Sequence, residues 1–392
     1  METVNRFASV HRLSAVCAAT MTLVMTQACD GSARQAEQLS VNREVLVRGS
    51  TGRVSAITRD ADGNFVVAGA RGLAWAAALS AQGEILWTFE QSSDGTPVTA
   101  HQAEYHGAVS LRNGTSLLCG HARTSTGQVG LMTVLDLRGR PVDDRRLLPN
   151  DDRKFYFSSL HQCMVWNDGI LAIGTTTDGT HGFAWLMRLN GDGVKEWETV
   201  NPDLAGSFAV ETPTHELLLA TMAGRSKPGE TTLFRVGQNA EILSSRSIRS
   251  SGYALLRSTR PGSVGTVVLY EDKPMVHTLN EHLEDMEVPR TIPPVYMQQS
   301  GALGRGYVLP DNSLALFGYV QKGGGAFTAP YTAAVAHVGG AGRDLIHAFA
   351  PLYNSVAVID AIRISDTQFV TVREVIADKP SDSGIMLSWI TF

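Results

Sequence analysis

The stretches LAWAAALSAQGEILW (residues 73–87) and FAWLMRLNGDGVKEW (residues 183–197) repeat one pattern. The matched positions are Trp75, Leu79, Gly83 and Trp87 in the first stretch and Trp185, Leu189, Gly193 and Trp197 in the second. Both stretches alternate apolar and polar residues on either side of a polar turn that contains glycine. This pattern is typical of two antiparallel β-strands joined in a hairpin.

A further strand with its own turn precedes each hairpin. Short turns rich in Asn, Asp, Gly or Thr stand before apolar segments: 62–64 before FVVAG, 113–114 before SLLCG, 167–169 before ILAIG, 214–215 before ELLLA, 311–312 before SLALFG and 366–367 before QFVTV. The repeat unit therefore consists of strand a, a turn, strand b, a loop, strand c, a glycine turn and strand d.

The position of Leu79 recurs along the chain at intervals of 43 to 59 residues. The equivalent residues are Leu79, Leu135, Leu189, Val236, Leu279, Val338 and Trp389. Arrays with this repeat length form β-propellers. The sequence predicts an all-β chain, folded as a seven-bladed β-propeller of four-stranded antiparallel blades. Six or eight blades remain alternatives, because Pro274 and the acidic residues of 281–287 interrupt the strand pattern around Leu279.

The two ends of the predicted domain complement each other. The last repeat stops at Phe392 after strand c, while the segment 41–48 (VNREVLVR) alternates like a strand and precedes the first repeat. Unpaired edges of β-sheets promote aggregation. We therefore expect this N-terminal strand to complete the last blade and close the ring.

The phrases DGNFVVAGA (62–70) and AWAAALSAQGEILW (74–87) resemble the secreted bacterial propeller repeats of the PQQ-like and delta-sixty type. The resemblance extends over residues 53–392. It implies the fold and carries no activity, since one fold supports many functions.

The N-terminus is predicted to be an export signal. Arg6, His11 and Arg12 precede an apolar run at 13–25, which is too short to span a bilayer but typical of a signal peptide. The pair Ala28–Cys29 resembles the lipobox of bacterial lipoproteins, which implies a lipid anchor on Cys29. Thr26 stands where that family prefers Leu, so an ordinary secreted protein remains the alternative.

These features divide the chain into a signal peptide (1–28), a tether (29–40) and the β-propeller domain (41–392). They predict an exported protein in the periplasm, anchored by Cys29 to the cytoplasmic membrane. The Asp30 that follows Cys29 resembles an inner-membrane retention signal.

Composition limits the classes of ligand. The formal net charge is −5 and Arg145–Arg146 is the longest basic run, which excludes a nucleic-acid binder. We expect no cofactor, because the repeated tryptophans fit a core between sheets. We expect no metal either, because Asp60–Asn64 matches a turn better than a calcium loop: residue 71 is Arg instead of the required Glu. Cys119 and Cys163 could pair or remain two buried thiols.

The predicted b–c and d–a loops are long and rich in aromatic and polar residues, and long loops on one face often form a binding surface. The candidate ligand-binding residues are His106, His121, Arg123, Phe155, Tyr156, Glu271, Tyr319 and Arg373. His161 and His181 could converge with His106 and His121, since they come from neighbouring repeats.

The expected function is a monomeric, non-enzymatic scaffold that binds another protein. The alternatives are a periplasmic hydrolase or lactonase-like propeller with a metal in its channel, and a glycan-binding module.

Overall fold

The structure, a computed structural model, describes residues 39–48, 53–91, 103–150, 154–201, 204, 208–222, 229–250, 253–257, 261–270, 274–292, 305–321, 331–339, 344–349, 360–375 and 383–392. All of them belong to the compact unit Leu39–Phe392. The predicted signal peptide, Cys29, the tether up to residue 38 and Glu271 lie outside the described residues.

Every regular element of these residues is a β-strand, as the sequence predicts. The strands are β1 Ser40–Arg48, β2 Arg53–Arg59, β3 Phe65–Arg71, β4 Leu73–Leu79, β5 Ile85–Glu90, β6 Ala103–Ser110, β7 Ser116–Thr124, β8 Gly127–Leu135, β9 Pro141–Leu147, β10 Phe157–Trp166, β11 Gly169–Thr177, β12 Gly182–Leu189, β13 Lys195–Asn201, β14 Phe208–Glu211, β15 Leu217–Met222, β16 Glu230–Val236, β17 Ile242–Arg249, β18 Tyr253–Leu256, β19 Gly265–Tyr270, β20 Pro274–Leu279, β21 Arg290–Thr291, β22 Arg305–Val308, β23 Leu314–Gln321, β24 Tyr331–Val338, β25 Leu345–Ala348, β26 Asp360–Arg363, β27 Gln368–Val375 and β28 Gly384–Thr391. Within the described part of the chain, no helix is long and apolar enough to cross a membrane.

The strands group into antiparallel sheets of four, taken in chain order. They are sheet 1 (β2–β5), sheet 2 (β6–β9), sheet 3 (β10–β13), sheet 4 (β14–β17), sheet 5 (β18–β21), sheet 6 (β22–β25) and sheet 7 (β26–β28 with β1). Sheets 2 and 3 are joined into eight strands by one parallel bridge between Phe157 and Gln128. The prediction of four-stranded antiparallel units is confirmed.

The turns between the third and fourth strands explain why the repeat is visible in the sequence. Ser80, Asp136, Asn190 and Asn280 each directly follow the strand, and their side-chain oxygens accept two backbone N–H bonds across the turn. Gly83 has a φ of 85° in the first of these turns, a left-handed conformation that favours glycine.

The turn at Asp60 is likewise structural. The Asp60 carboxylate accepts hydrogen bonds from the backbone N–H and the side-chain amide of Asn64, at 2.8 and 3.1 Å. The backbone N–H of Gly63 donates to the Asp60 carbonyl at 3.1 Å. The interpretation of this segment as a turn between the first and second strands is therefore confirmed.

The core consists of separate apolar clusters, each enclosed between two consecutive sheets. Trp185 and Leu189 of sheet 3 pack with Leu117 and Met132 of sheet 2 in one of them. Corresponding clusters join sheets 1 and 2, 3 and 4, 4 and 5, 5 and 6, and 6 and 7. Trp75 and Trp185 are buried in such clusters, as the repeat predicts.

Sheet 7 contains both ends of the described chain. β1 pairs with β28, from Ser40 opposite Thr391 to Arg48 opposite Gly384, in the position that the sequence predicts for this strand. An apolar cluster that includes Val47, Val370, Val67 and Trp75 packs sheet 7 against sheet 1. The first and last sheets are thus in direct contact.

Two predictions for sheet 7 are wrong. The equivalent of Leu79 is Ile390 instead of Trp389, because Ile390 is the buried residue opposite Phe369. Arg373 does not lie in a loop: it is inside β27 and only 2% exposed. Its Nη2 donates to Glu44 Oε1 at 2.7 Å, and its guanidinium stacks 4.1 Å above the Phe349 ring.

Glu44 compensates the buried charge of Arg373, and Ser388 donates a second hydrogen bond to the same carboxylate oxygen. We expect Glu44→Gln to lower the free energy of unfolding by about 2 kcal/mol, because it leaves a buried guanidinium without an opposite charge. The loss should stay below that of a fully buried pair, since the Glu44 side chain is 36% exposed.

Urea unfolding of both proteins measures this difference. Glu90→Gln is the control, because Glu90 is exposed on β5. Equal losses in the two variants would contradict the assigned role of Glu44.

Candidate functional site

The first strands of sheets 1, 2 and 3 share an irregularity at the same position. The pairing register shifts between Val54 and Ala56 in β2, between Tyr105 and Gly107 in β6, and between Leu160 and Gln162 in β10. The unpaired residues of these β-bulges are Ser55, His106 and His161. Bulges of this kind redirect side chains and are frequent beside functional sites.

A glycine on the second strand makes each bulge possible. At Gly69, Gly120 and Gly174 an added Cβ would lie 1.9, 1.8 and 2.0 Å from a carbonyl oxygen of the first strand. Only a residue without a side chain permits this close approach of two backbones.

The bulges bring three imidazoles together. His106 Nε2 lies 2.8 Å from His121 Nδ1, and the two rings are stacked with centroids 5.0 Å apart. The His161 ring lies 5.9 Å from the His106 ring, and His161 Nε2 lies 2.8 Å from Thr175 Oγ1. We call Glu104, His106, His121 and His161 the histidine cluster.

Glu104 connects this cluster to sheet 1. Its buried carboxylate oxygen Oε1 accepts a hydrogen bond from Ser55 Oγ at 2.8 Å. The same oxygen lies 3.4 Å from Arg53 Nε and 3.7 Å from His106 Nδ1. Three adjacent sheets therefore contribute side chains to one polar site.

Burial favours the neutral form of the imidazoles. Desolvation, reinforced by the proximity of His121 and Arg53, lowers the pKa of His106 to about 3. Desolvation and the two other histidines lower the pKa of His161 to about 3. Desolvation also lowers the pKa of His121, although the Glu104 carboxylate opposes this shift. Neutral imidazoles offer both hydrogen-bond donors and acceptors.

Two of the predicted ligand residues belong to the strand segments of this cluster: Arg123 lies on the strand of His121, and Tyr156 directly precedes the strand of His161. Arg123 pairs with Gln128, and Gln128 bridges to Phe157 at the start of β10. Tyr156 accepts a backbone hydrogen bond from Gln128 at 3.1 Å, and Lys154 Nζ lies 5.5 Å from its ring centre. The Tyr156 and Phe157 side chains are 50% and 45% exposed. We call Arg123, Tyr156 and Phe157 the aromatic edge.

Phe155, in the same segment, is half-buried, and its ring packs edge-on against the Phe183 ring with centroids 6.0 Å apart. His181 does not join the histidine cluster: its exposed side chain lies 3.9 Å from Asp178. Arg373, buried in sheet 7, is not a surface residue. Tyr319 belongs to β23, and nothing further is described of its side chain.

The predicted assignment of five residues to loops is wrong. His106 lies in β6, His121 and Arg123 lie in β7, Tyr319 lies in β23 and Arg373 lies in β27. The predicted strand ends rest on the alternation of apolar and polar residues. This alternation stops where the side chains of a strand no longer face a neighbouring sheet. The strands continue further because backbone pairing does not depend on side-chain polarity.

Glu104, Arg53 and Ser55 also belong to this site and were not among the predicted ligand residues. The glycine that ends FVVAG, SLLCG and ILAIG recurs at Gly69, Gly120 and Gly174 and marks the position opposite each bulge. That recurrence could have located the site. Among the residues that the structure describes, no group of three or more His, Cys, Asp or Glu side chains is arranged to hold a metal ion.

Comparison with known proteins identifies the fold only. No protein-family model matches the chain, and no curated protein is similar to it in sequence. The WD40 β-propeller domain of Doa1 is similar in structure, with a TM-score of 0.51 and 10% identity over 90% of this chain and 97% of that chain. The Dos1 propeller has a TM-score of 0.49 and 7% identity over 90% of this chain and 95% of that chain.

A protein of unknown function from Dyadobacter fermentans is similar with a TM-score of 0.45 and 10% identity, over 90% of this chain and 99% of that chain. The similarity to the Doa1 domain, together with the repeated four-stranded sheets, shows that the chain has a β-propeller fold.

The lowered pKa values predict how stability depends on pH. A histidine with a pKa of about 3 when folded and about 6.5 when unfolded binds a proton preferentially in the unfolded chain between these values. Stability should therefore fall as the pH drops from about 6.5 towards 3, by up to about 1.4 kcal/mol per pH unit for each such histidine.

We expect His161→Gln to make this dependence shallower by about 1 kcal/mol per pH unit between pH 5.5 and 4. Urea unfolding at a series of pH values measures it. His282→Gln, a change at an exposed histidine, is the control and should keep the wild-type slope. Identical slopes for wild type and His161→Gln would show that His161 is not held neutral.

Proposed function

We propose that the sheets are the blades of a closed seven-bladed propeller. Sheets 1 to 7 each have four strands, and apolar clusters lie between all consecutive sheets and between sheet 7 and sheet 1. The first strands also pack in series, β2 against β6 and β6 against β10, while β26 packs against β2. In a propeller these strands surround the axis.

We propose that this propeller is a non-enzymatic scaffold that binds another protein through the aromatic edge beside the histidine cluster. The observation that carries the proposal is the exposure of Tyr156 and Phe157 at the start of a paired strand, next to Arg123. Aromatic residues and arginine dominate binding energy at protein interfaces. Here β10 and its bridge from Phe157 to Gln128 hold these side chains in place. Binding therefore requires little loss of conformational entropy.

The pKa values favour binding over catalysis at the histidine cluster. A general base works best with a pKa near the operating pH. An imidazole whose pKa is about 3, as for His106 and His161, accepts a proton poorly at neutral pH. The same neutral rings can donate and accept hydrogen bonds with peptide groups of a partner.

A hydrolase is the second candidate. Glu104, His106 and His121 form a chain of contacts that resembles the carboxylate–imidazole arrangement of acid–base catalysts. A glycan-binding module is a third, because exposed rings such as Tyr156 and Phe157 can stack on apolar surfaces of sugars. A binding experiment separates the protein-binding scaffold from the hydrolase and the glycan-binding module.

The change Tyr156→Ala with Phe157→Ala should abolish protein binding, because it removes both exposed rings. We expect chemical crosslinking of the full chain in its native host to yield one defined protein adduct, reduced at least tenfold by the double change. Ile85→Ala with Leu86→Ala is the matched control, since these side chains are 45% and 50% exposed on sheet 1.

A wild-type chain that yields no protein adduct would contradict the proposal. Retention on immobilised polysaccharide, lost in the Tyr156/Phe157 variant, would favour the glycan-binding module. Hydrolysis of ester or glycoside substrates that disappears with Glu104→Gln would favour the enzyme.

We further propose that the protein is exported, anchored to the cytoplasmic membrane through lipid on Cys29, and monomeric. The support is the Ala28–Cys29 pair after the apolar run of residues 13–25. The acidic net charge supports a partner other than nucleic acid.

Metabolic labelling with a radioactive fatty acid tests the anchor. We expect label on the wild-type chain and none on Cys29→Ser, which should move to the soluble periplasmic fraction because it lacks acyl chains. Cys17→Ser is the control and should keep the label. Label that persists in Cys29→Ser would overturn the proposed lipidation site.

A further inference from the structure

The two cysteines of the propeller meet behind the histidine cluster. Cys119 on β7 and Cys163 on β10 are buried with free thiols, and they belong to adjacent sheets. Both contact the backbone of Gly107: a Cβ added there would lie 2.8 Å from Cys119 Sγ and 3.0 Å from Cys163 Sγ. The absence of a side chain at Gly107 therefore leaves the space that the two sulfur atoms share.

The two thiols also influence each other electrostatically, since Cys163 adds to the effect of burial in raising the pKa of Cys119. Cys163 Sγ donates a hydrogen bond to the Leu117 carbonyl oxygen at 3.8 Å. Two thiols that flank the same backbone position on neighbouring strands are candidates for an S–S bond, which requires closely spaced Cα atoms.

Each residue of this group lies within two positions of a histidine of the cluster. Gly107 directly follows His106, Cys119 precedes His121 by two positions, and Cys163 follows His161 by two positions. A bond between the sulfur atoms would thus connect the two strand segments that carry His121 and His161.

We propose that Cys119 and Cys163 form a disulfide that covalently links sheets 2 and 3 and fixes the strand segments of His121 and His161 relative to each other. The reduced pair leaves the two sheets joined by packing, by the Phe157–Gln128 bridge and by backbone hydrogen bonds such as that from the Arg112 N–H to the Gly191 carbonyl. The inference does not depend on the identity of the binding partner.

The oxidant is a disulfide-bearing compound or protein. One cysteine thiolate attacks its S–S bond, which breaks; a mixed disulfide forms and the first oxidant thiol leaves. The thiolate of the other cysteine attacks the protein sulfur of the mixed disulfide, forms the Cys119–Cys163 bond and releases the second oxidant thiol. The protein loses two electrons and two protons, and the oxidant is reduced to two thiols.

Burial and the neighbouring Cys163 raise the pKa of the Cys119 thiol well above its ordinary value. Little thiolate is therefore present once sheets 2 and 3 have packed, and the attacking species is the thiolate. The bond should form during folding, before the interface closes.

The test uses the full chain with Cys17→Ser and Cys29→Ser, so that only the two buried cysteines remain. The chain is refolded in a buffer of oxidised and reduced glutathione, quenched with acid, alkylated and digested for mass spectrometry. We expect a monomer without alkylated cysteine and a linked peptide pair containing Cys119 and Cys163. A folded monomer with two alkylated cysteines would overturn the proposal.

Two further measurements check the consequences. The oxidised chain should have a Tm about 5 °C above that of the reduced chain, because the bond closes a long loop. The NMR signals of His106, His121 and His161 should differ between the two states, whereas the signal of the exposed His282 should not.

Cys119→Ala is the control variant and should show neither difference. If this variant does not fold, the thiols are counted instead in the chain that keeps both Cys119 and Cys163, isolated from an exporting host under acid quench. Two free thiols in that folded material would also refute the bond.

Discussion

Face-to-face packing between consecutive sheets is the constraint on which this structure depends. The strands of each sheet bury apolar side chains on both faces, so every sheet needs a neighbour on each side. Sheet 3 shows the principle: Trp185 packs into the cluster shared with sheet 2, while Leu186 packs into the cluster shared with sheet 4. An open array would leave two such faces in water, and the contact between sheets 7 and 1 covers them.

The sequence predicted the features that depend on local geometry. Turn residues such as Gly83 and Asp60, the strand pattern around Trp75 and the N-terminal strand at 41–48 all have a local cause: left-handed turns, buried alternation or an unpaired edge. The predicted equivalent of Leu79 in the last sheet, Trp389, is one residue away from the observed one, Ile390. A shift of one residue moves the assignment to the opposite face, because alternate residues of a strand face opposite sides.

The candidate site was only half predictable. His106 and His121 were identified as site residues, but their contact depends on a bulge that no hydrophobic pattern reveals. The predicted loop position of Arg373 is wrong because its charge is compensated inside β27 by Glu44, which is far away in sequence. The polar residues around Glu104 were missed for the same reason: their partners lie on other sheets. Long-range pairing of polar groups has no signature in a single sequence.

The position of β1 has a consequence for folding. Its first residue, Ser40, pairs with Thr391, and the strand contributes Val47 to one apolar cluster and Val41 to another. Glu44 of β1 and Ser388 of β28 are 344 positions apart. Sheets 1 to 6 pair strands that are close in sequence, whereas this contact has a much larger sequence separation, so we expect it to form after them. Until it forms, both β1 and β28 present an unpaired strand edge on which another chain can add.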